Sequence, residues 1–175
     1  TDRHGISGKA YSFDGVDDFI DSGNSPLFAL NEFTISLWFK EVVNPSGGAV
    51  LVSKSADASG EMGYRINADA DNFNRLVWSR IGIIQGGSGY HESNIAFTQN
   101  TWTHVVGKKI GDKLYIYVNG ATAGFTGGNT IPFNNTNSLL FGKSHLGGDE
   151  FGGSIDDVRI YNRALSAADV TALYE

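Results

Sequence analysis

Two adjacent carboxylates, Asp156 and Asp157, open a short segment that ends at Tyr161. Alternate residues of an extended strand share a face, so Asp156 would lie in line with Val158 and Ile160, which should face a core. A buried carboxylate is costly unless it is paired, hydrogen-bonded or bound to a metal. Asp156 is therefore a candidate ligand, and the alternative is a solvated aspartate at the entry to a strand.

Groups that could catalyse a reaction are scattered along the chain. None of the glutamates has a carboxylate two or five positions after it, so no pair suited to glycoside cleavage is evident. A nucleophile elbow, a phosphate loop and a dinucleotide fingerprint are also missing. Tyr90 and His91 could suggest a lyase-like pair, but two neighbours in a polar loop are weak evidence. We therefore expect no catalytic site.

The number and spacing of potential ligand residues also disfavour transition-metal binding. The chain has no cysteine, so no thiolate ligand exists. Its histidines are isolated at His4, His91, His104 and His145, without the spacing that typical zinc sites require.

Aromatic side chains are the remaining candidates for a binding surface. A sugar ring presents C–H faces that stack on aromatic rings, while its hydroxyls need polar partners. Trp38 and Trp78 each lie on a strand face that is a stacking platform if open and a core face if covered. Tyr90, His91 and His145 fall in predicted loops, where exposure is expected.

Strand patterns run through the whole chain. Its 23 glycines, 11 phenylalanines and 7 tyrosines favour strands and tight turns. Alternation is clearest in residues 33–40 and 114–118, and Asn119-Gly120 suits the turn of a hairpin over 113–125. Strands are predicted over 9–13, 18–21, 32–41, 49–54, 63–68, 75–83, 102–109, 113–118, 121–125, 138–143 and 153–161.

Helical periodicity is confined to residues 166–174, where Ser166 can cap and Asp169 stands in a box-like position. Many half-polar strands without crossover helices predict an antiparallel all-β protein. At this length two stacked sheets are favoured over a small closed barrel. We expect a single β-sandwich domain over residues 1–175 with one short C-terminal helix.

Charge and hydropathy restrict the partners. The net charge of −6 and the pI near 5.1 argue against a nucleic-acid surface and a basic membrane anchor. No apolar run approaches the roughly 20 residues that span a bilayer. No secretory leader is visible, and the start at Thr1 suggests a domain taken from a longer protein.

Five pieces in order carry a family resemblance. They are AYSFDGVDDFI at 10–20, FTISLWFK at 33–40, WTHVV at 102–106, LYIYVNG at 114–120 and the segment around Asp156. With them the chain resembles the laminin-G-like jelly-roll domains of the concanavalin A-like lectin/glucanase superfamily, over essentially its whole length. The resemblance implies a concanavalin A-like jelly roll.

The resemblance also implies a structural calcium ion between an N-terminal loop and the last long strand. Asp156 would be the ligand on the strand, and Asp14, with Asp17 and backbone carbonyls, would contribute from the Phe-Asp-Gly turn. Calcium prefers six to eight hard oxygens, which carboxylates and loop carbonyls supply. The alternative is a set of solvated turn carboxylates.

A non-catalytic carbohydrate-binding module is the function that the sequence favours. It would be a secreted or cell-surface bacterial lectin-type domain, part of a larger polysaccharide-active enzyme or adhesin, with a poly- or oligosaccharide as partner. A protein-binding adhesion module or structural spacer is the alternative, and a glycoside hydrolase or lyase ranks third.

Overall fold

The computed structural model describes residues 1–28, 30–43, 49–54, 63–69, 75–81, 90–111, 113–126, 135–145 and 147–175. At positions 43, 69, 75–81, 90–92 and 126 it describes the backbone alone.

Twelve strands, one 3₁₀ turn and one α-helix make up the described residues. The strands are β1 (Tyr11–Asp14), β2 (Ile20–Asp21), β3 (Phe33–Val43), β4 (Ala49–Lys54), β5 (Gly63–Asp69), β6 (Arg75–Ile81), β7 (Tyr90–Ala96), β8 (Thr103–Ile110), β9 (Lys113–Val118), β10 (Ala121–Thr126), β11 (Leu140–Phe141) and β12 (Gly152–Tyr161). The 3₁₀ turn covers Pro26–Phe28, and helix α1 covers Ala167–Tyr174. In the part of the chain that is described, no helix is long and apolar enough to cross a bilayer.

The strands form two six-stranded antiparallel sheets. Sheet A has the order β1-β12-β3-β8-β9-β10, and sheet B has the order β2-β11-β4-β5-β6-β7. The predicted two-sheet sandwich with one C-terminal helix is confirmed. The predicted hairpin is confirmed too, because β9 pairs with β10 and both turn residues, Asn119 and Gly120, have positive φ.

The main core lies between the sheets. Four side chains of β3 enter it at 0–1% exposure: Phe33, Ile35, Leu37 and Phe39. They pack in one cluster with buried residues of sheet B such as Leu51 and Ile66. Alternation in the sequence therefore identified the core face of β3 correctly.

Helix α1 covers part of the other face of sheet A. Ser166 caps it, and the side chain of Asp169 accepts from the Ser166 backbone in return, which completes a capping box. Leu165 and Val170 are buried with Val106 and Tyr117 of the sheet in a second apolar cluster. The helix predicted from the sequence is confirmed.

Trp38 belongs to this covered face. Its exposed fraction is 8%. Its ring stacks on Tyr174 at 5.6 Å, the tilted His104 ring lies 5.1 Å away, and the Arg3 guanidinium lies 4.7 Å above it. The prediction of Trp38 as a sugar-stacking platform is therefore wrong. The polar side of β3 is covered by the chain termini, which the local pattern of the strand does not encode.

Strand β7 occupies a segment that the sequence predicted as a loop. Tyr90 and His91 lie in this strand, where they pair with Ser79 and Trp78 of β6. Glycine, serine and asparagine lower strand propensity in residues 86–94, but cross-strand pairing overrides propensity. The predicted loop position of Tyr90 and His91 is corrected accordingly.

A bulge in β12 reverses the predicted faces of the Asp156 segment. The register shifts between Asp156 and Arg159, and Asp157 has a φ of 47°. Ile155 is in the core, whereas Asp156 pairs with Trp38 on the outer side of sheet A. The prediction that Asp156 stands in a core-facing row is wrong, because the bulge adds residues that a regular period of two does not count.

His104 makes stability depend on pH. It is 1% exposed, and its Nε2 lies 2.8 Å from the Ser36 hydroxyl. Burial first, and then Arg3 and Arg159, lower the pKa of His104 to about 4, against a smaller opposing effect of Asp157. The unfolded chain therefore binds a proton between pH 6.5 and 4 that the folded protein does not, so the free energy of unfolding falls as the pH drops.

From pH 7 to pH 5 we expect the wild type to lose about 2 kcal/mol more than the His104→Gln variant. Chemical denaturation at both pH values measures this difference, with exposed His4→Gln as the control that keeps the wild-type dependence. Equal pH dependence in wild type and His104→Gln would contradict the assignment.

Candidate functional site

The outer face of sheet B carries a row of mostly polar positions. Residues directly opposite one another in adjacent strands share a face. The register gives the row Asp21, Leu140, Ser53, Arg65, Ser79 and Tyr90. The centre of the row is charged at Arg65, whereas its neighbours Leu140 and Ser53 are 3% and 0% exposed.

An ion pair stands in this row. Arg65 of β5 reaches across β4, and its Nη1 lies 3.0 Å from Oδ2 of Asp149. On the far side of β4, the backbone oxygen of Asp149 accepts from Val50 N at 2.9 Å. The two charged side chains are 25% and 26% exposed, so the pair is partly shielded and still reachable.

Two polar atoms beside the ion pair lack hydrogen-bond partners among the described residues. They are Nε of Arg65 and Oδ1 of Asn67, and both are shielded from solvent. Arg65 and Asn67 are two positions apart on β5, so they stand on one face of the sheet. Most buried polar groups are satisfied, so an unpaired donor beside an unpaired acceptor is unusual.

His145 lies at the opposite edge of the face. Its Nε2 is 2.9 Å from the Ser138 carbonyl oxygen. Asp21 is close by. Hydrogen bonds from Gly23 N and then from the Ser138 side chain lower the pKa of its carboxyl, and the nearby His145 adds a smaller effect. His145 is half-buried.

The other predicted aromatic ligands are known by backbone position only. Tyr90 belongs to the row that contains Arg65, whereas Trp78 is opposite Ile66, a core residue, and His91 is opposite Trp78. The side chains of Trp78, Tyr90 and His91 lie outside what the structure describes, so their roles in binding stay predictions. Sequence reasoning missed Arg65, Asn67 and Asp149, since no local motif joins them.

The predicted calcium residues do not meet at one point. Asp14 pairs with Gly152, so Asp156 lies four positions further along β12, about 13 Å away at roughly 3.3 Å per residue. The Asp156 carboxylate instead accepts from the backbone amides of Arg3 and Asp157. The expected convergence of Asp14 and Asp156 is therefore corrected.

A different carboxylate group forms in the N-terminal turn. Oxygens of Asp14, Asp17 and Asp18 lie within 4.8 Å of one another, and all three residues are exposed. Amides of Val16 and Asp17 donate to Asp14 Oδ1 and lower the pKa of that carboxyl. The turn therefore presents three carboxylates, whose hard oxygens are of the type that calcium binds.

Exposed aromatic residues also occur outside sheet B. Tyr115 and Phe125 stack at 5.5 Å on the outer face of sheet A, and Phe125 is 57% exposed. A separate apolar cleft of about 410 Å³ opens between the edges of the two sheets, lined by residues that include Tyr11, Phe28 and Val158.

Comparison with known proteins identifies the family. A laminin-G-type family profile, described as the concanavalin A-like lectin/glucanases superfamily, matches residues 14–171. The chain belongs to this superfamily. The predicted resemblance is thereby confirmed, and no curated protein sequence matches the chain significantly.

Solved structures share the fold of this superfamily member. Domain 4 of AbnA, a GH43 extracellular arabinanase from Geobacillus stearothermophilus in complex with arabinotriose, has a TM-score of 0.77 and 22% identity over 98% of this chain and 79% of its own. The Ruminococcus gnavus IT-sialidase CBM40 bound to α2,3-sialyllactose has a TM-score of 0.79 and 15% identity over 95% and 97%. A heptameric SAP-like pentraxin from Limulus polyphemus has a TM-score of 0.70 and 15% identity over 94% and 80%.

Gly142 holds the loop after β11 against the acidic turn. Its φ is +88°, and a Cβ there would lie 2.5 Å from the Phe13 ring and 3.1 Å from the Asp18 carbonyl oxygen. We expect Gly142→Ala to destabilise the fold by roughly 3 kcal/mol, from backbone strain plus overlap with the core ring.

Gly147→Ala is the matched control. Its φ is +72° and nothing lies within 4 Å of the added Cβ, so backbone strain of about 1 kcal/mol should be its whole effect. Urea unfolding of both variants measures the difference. Equal destabilisation would contradict the close approach of Gly142 to Phe13.

Proposed function

We propose that this chain is a non-catalytic carbohydrate-binding module whose ligand lies on the outer face of sheet B. The observation that carries the proposal is the partly exposed Arg65–Asp149 pair, set in a row of mostly polar positions on sheet B. Two relatives of the same fold were solved with arabinotriose and with sialyllactose, which supports a saccharide as the class of ligand.

The chemistry of this face suits a sugar. Hydroxyl groups need donors and acceptors together, and Arg65, Asp149 and Asp21 offer both. Tyr90 stands in the same row and His145 at its edge, so we propose that they supply the stacking surface. Trp78 and His91 stay in the proposed set on their strand positions alone.

We infer that the module acts without catalysis, in a secreted or cell-surface protein with further domains. Glu41 is fully buried, burial raises the pKa of its carboxyl, and its Oε2 accepts from Gln99, so it has the features of a structural acid. The fold relatives that support this inference include a domain of an extracellular arabinanase and a module of a sialidase.

Binding is tested by calorimetric titration with arabinotriose and 3′-sialyllactose as first probes. We expect a dissociation constant between micromolar and millimolar, and at least a tenfold loss for Tyr90→Ala or His145→Ala, because one or two stacked rings dominate such sites. Phe125→Ala is the matched control, since it removes an exposed aromatic ring from sheet A. Loss of affinity in that control alone would move the site to sheet A.

The apolar cleft between the sheet edges favours a second candidate function, protein binding in an adhesion module. Tyr11 lines the cleft and is 66% exposed, and Leu27 lies beside it and is 56% exposed. Together they form a large exposed apolar surface at the edge of the sandwich. Silence of the domain across a broad glycan array would favour this candidate over the first.

We further propose a structural calcium ion at the turn formed by Asp14, Asp17 and Asp18. Three exposed carboxylates within 4.8 Å of one another fit the hard-oxygen preference of calcium, and loop carbonyls would complete its shell. The ion would hold the turn that packs on Gly142 and Gly152.

An ion that binds only the folded state stabilises it by about 2.7 kcal/mol at a hundredfold excess over its dissociation constant. Thermal unfolding in calcium should therefore have a higher midpoint than in EGTA. Asp17→Asn should remove most of this difference, and Asp156→Asn should leave it intact. The reverse result for the two variants would place the ion at Asp156 and contradict this site.

A further inference from the structure

We propose that the outer face of sheet B selects an uncharged sugar, whose hydroxyls bridge the Arg65 guanidinium and the Asp149 carboxylate. This inference rests on the carbohydrate-binding function proposed above and adds the class of glycan. It separates neutral polysaccharides from uronic acid and sialic acid polymers.

Charge is the first argument. The guanidinium of Arg65 is already paired with Asp149 at 3.0 Å, so the pair presents no net positive charge to a ligand. Asp21 adds a carboxylate to the same row, with the Lys143 ammonium group near enough to offset it, and the whole chain has a net charge of −6. An anionic sugar would therefore meet a neutral to negative surface, which disfavours its approach.

Hydrogen-bond type is the second argument. The ion pair uses Nη1 of Arg65 and Oδ2 of Asp149, which leaves Nη2 as a donor and Oδ1 as an acceptor within the described part of the chain. A hydroxyl can accept from one group and donate to the other, whereas a carboxylate can only accept.

The geometry of the guanidinium makes the arrangement specific. Its planar fork holds the ion pair with one nitrogen while the others point in fixed directions, which lysine cannot reproduce. Neighbouring hydroxyls on a sugar ring match such a fixed donor and acceptor set. Affinity should then depend on hydrogen-bond geometry and little on ionic strength, because no net charge is neutralised on binding.

The wild-type domain is titrated with neutral probes (arabinotriose, xylohexaose and lactose) and acidic probes (3′-sialyllactose and trigalacturonate) at 50 and 500 mM NaCl. We expect binding to at least one neutral probe that changes less than twofold with salt. Binding only to an acidic probe, weakened tenfold or more by salt, would overturn this inference and leave the proposed function standing. Absence of binding to every probe would overturn both this inference and the proposed carbohydrate-binding function.

Asp149→Asn gives the sharpest comparison, because the affinity should fall for a neutral ligand and rise for an acidic one. Loss of an acceptor should weaken neutral-sugar binding at least tenfold, whereas loss of a negative charge would strengthen binding of an anionic sugar. Arg65→Lys keeps the charge and loses the fork, so it should also weaken the neutral ligand tenfold. Full affinity in either variant would overturn the assignment.

The control is a second ion pair far from this face. Arg163 and Asp169 lie 3.3 Å apart at helix α1, so Arg163→Lys and Asp169→Asn change the same chemical groups on the other sheet. Both should keep wild-type affinity. Thermal unfolding of all four variants separates a loss of binding from a loss of fold, and a defect shared with the helix variants would contradict a local role.

Discussion

Burial of strand β3 on both of its faces is the constraint on which the arrangement of the domain depends. Phe33, Ile35, Leu37 and Phe39 enter the core between the sheets, and the alternate residues Thr34, Ser36 and Trp38 are covered from outside. A strand buried on both faces must sit centrally in its sheet, and β3 lies between β12 and β8. Much of the outer face of sheet A is therefore occupied by the protein itself.

Polar side chains attach the covering layer. The Thr34 hydroxyl donates to the Arg163 carbonyl oxygen at 2.9 Å and accepts from Leu165 N at 3.0 Å. The Lys108 ammonium group bonds the Tyr117 hydroxyl and the Leu165 carbonyl oxygen. Buried polar groups of this kind are stable only when they are paired, so they fix where the helix docks more narrowly than apolar contact alone would.

The sequence predicted what depends on local periodicity. The core face of β3, the Asn119-Gly120 turn and the capping box of α1 follow from alternation, positive φ and hydrogen bonds within four residues, and all three are present. The sequence mispredicted the features that depend on contacts between residues far apart in the chain. Trp38 is covered by Arg3 and Tyr174, which are far from it in sequence, and the bulge in β12 moves Asp156 out of its predicted row. The charged pair of Arg65 and Asp149 was missed for the same reason, because 84 positions separate its members.

The stack of Arg3, Trp38 and Tyr174 has a practical meaning for the two ends of the chain. It brings a residue near the first position and a residue near the last onto one tryptophan, so both ends leave from the outer side of sheet A. A tether, fluorescent fusion or solid support joined at either end would thus lie on the outer side of sheet A. The opposite face would look outward, which makes the orientation of the domain on a sensor surface independent of the end chosen for attachment.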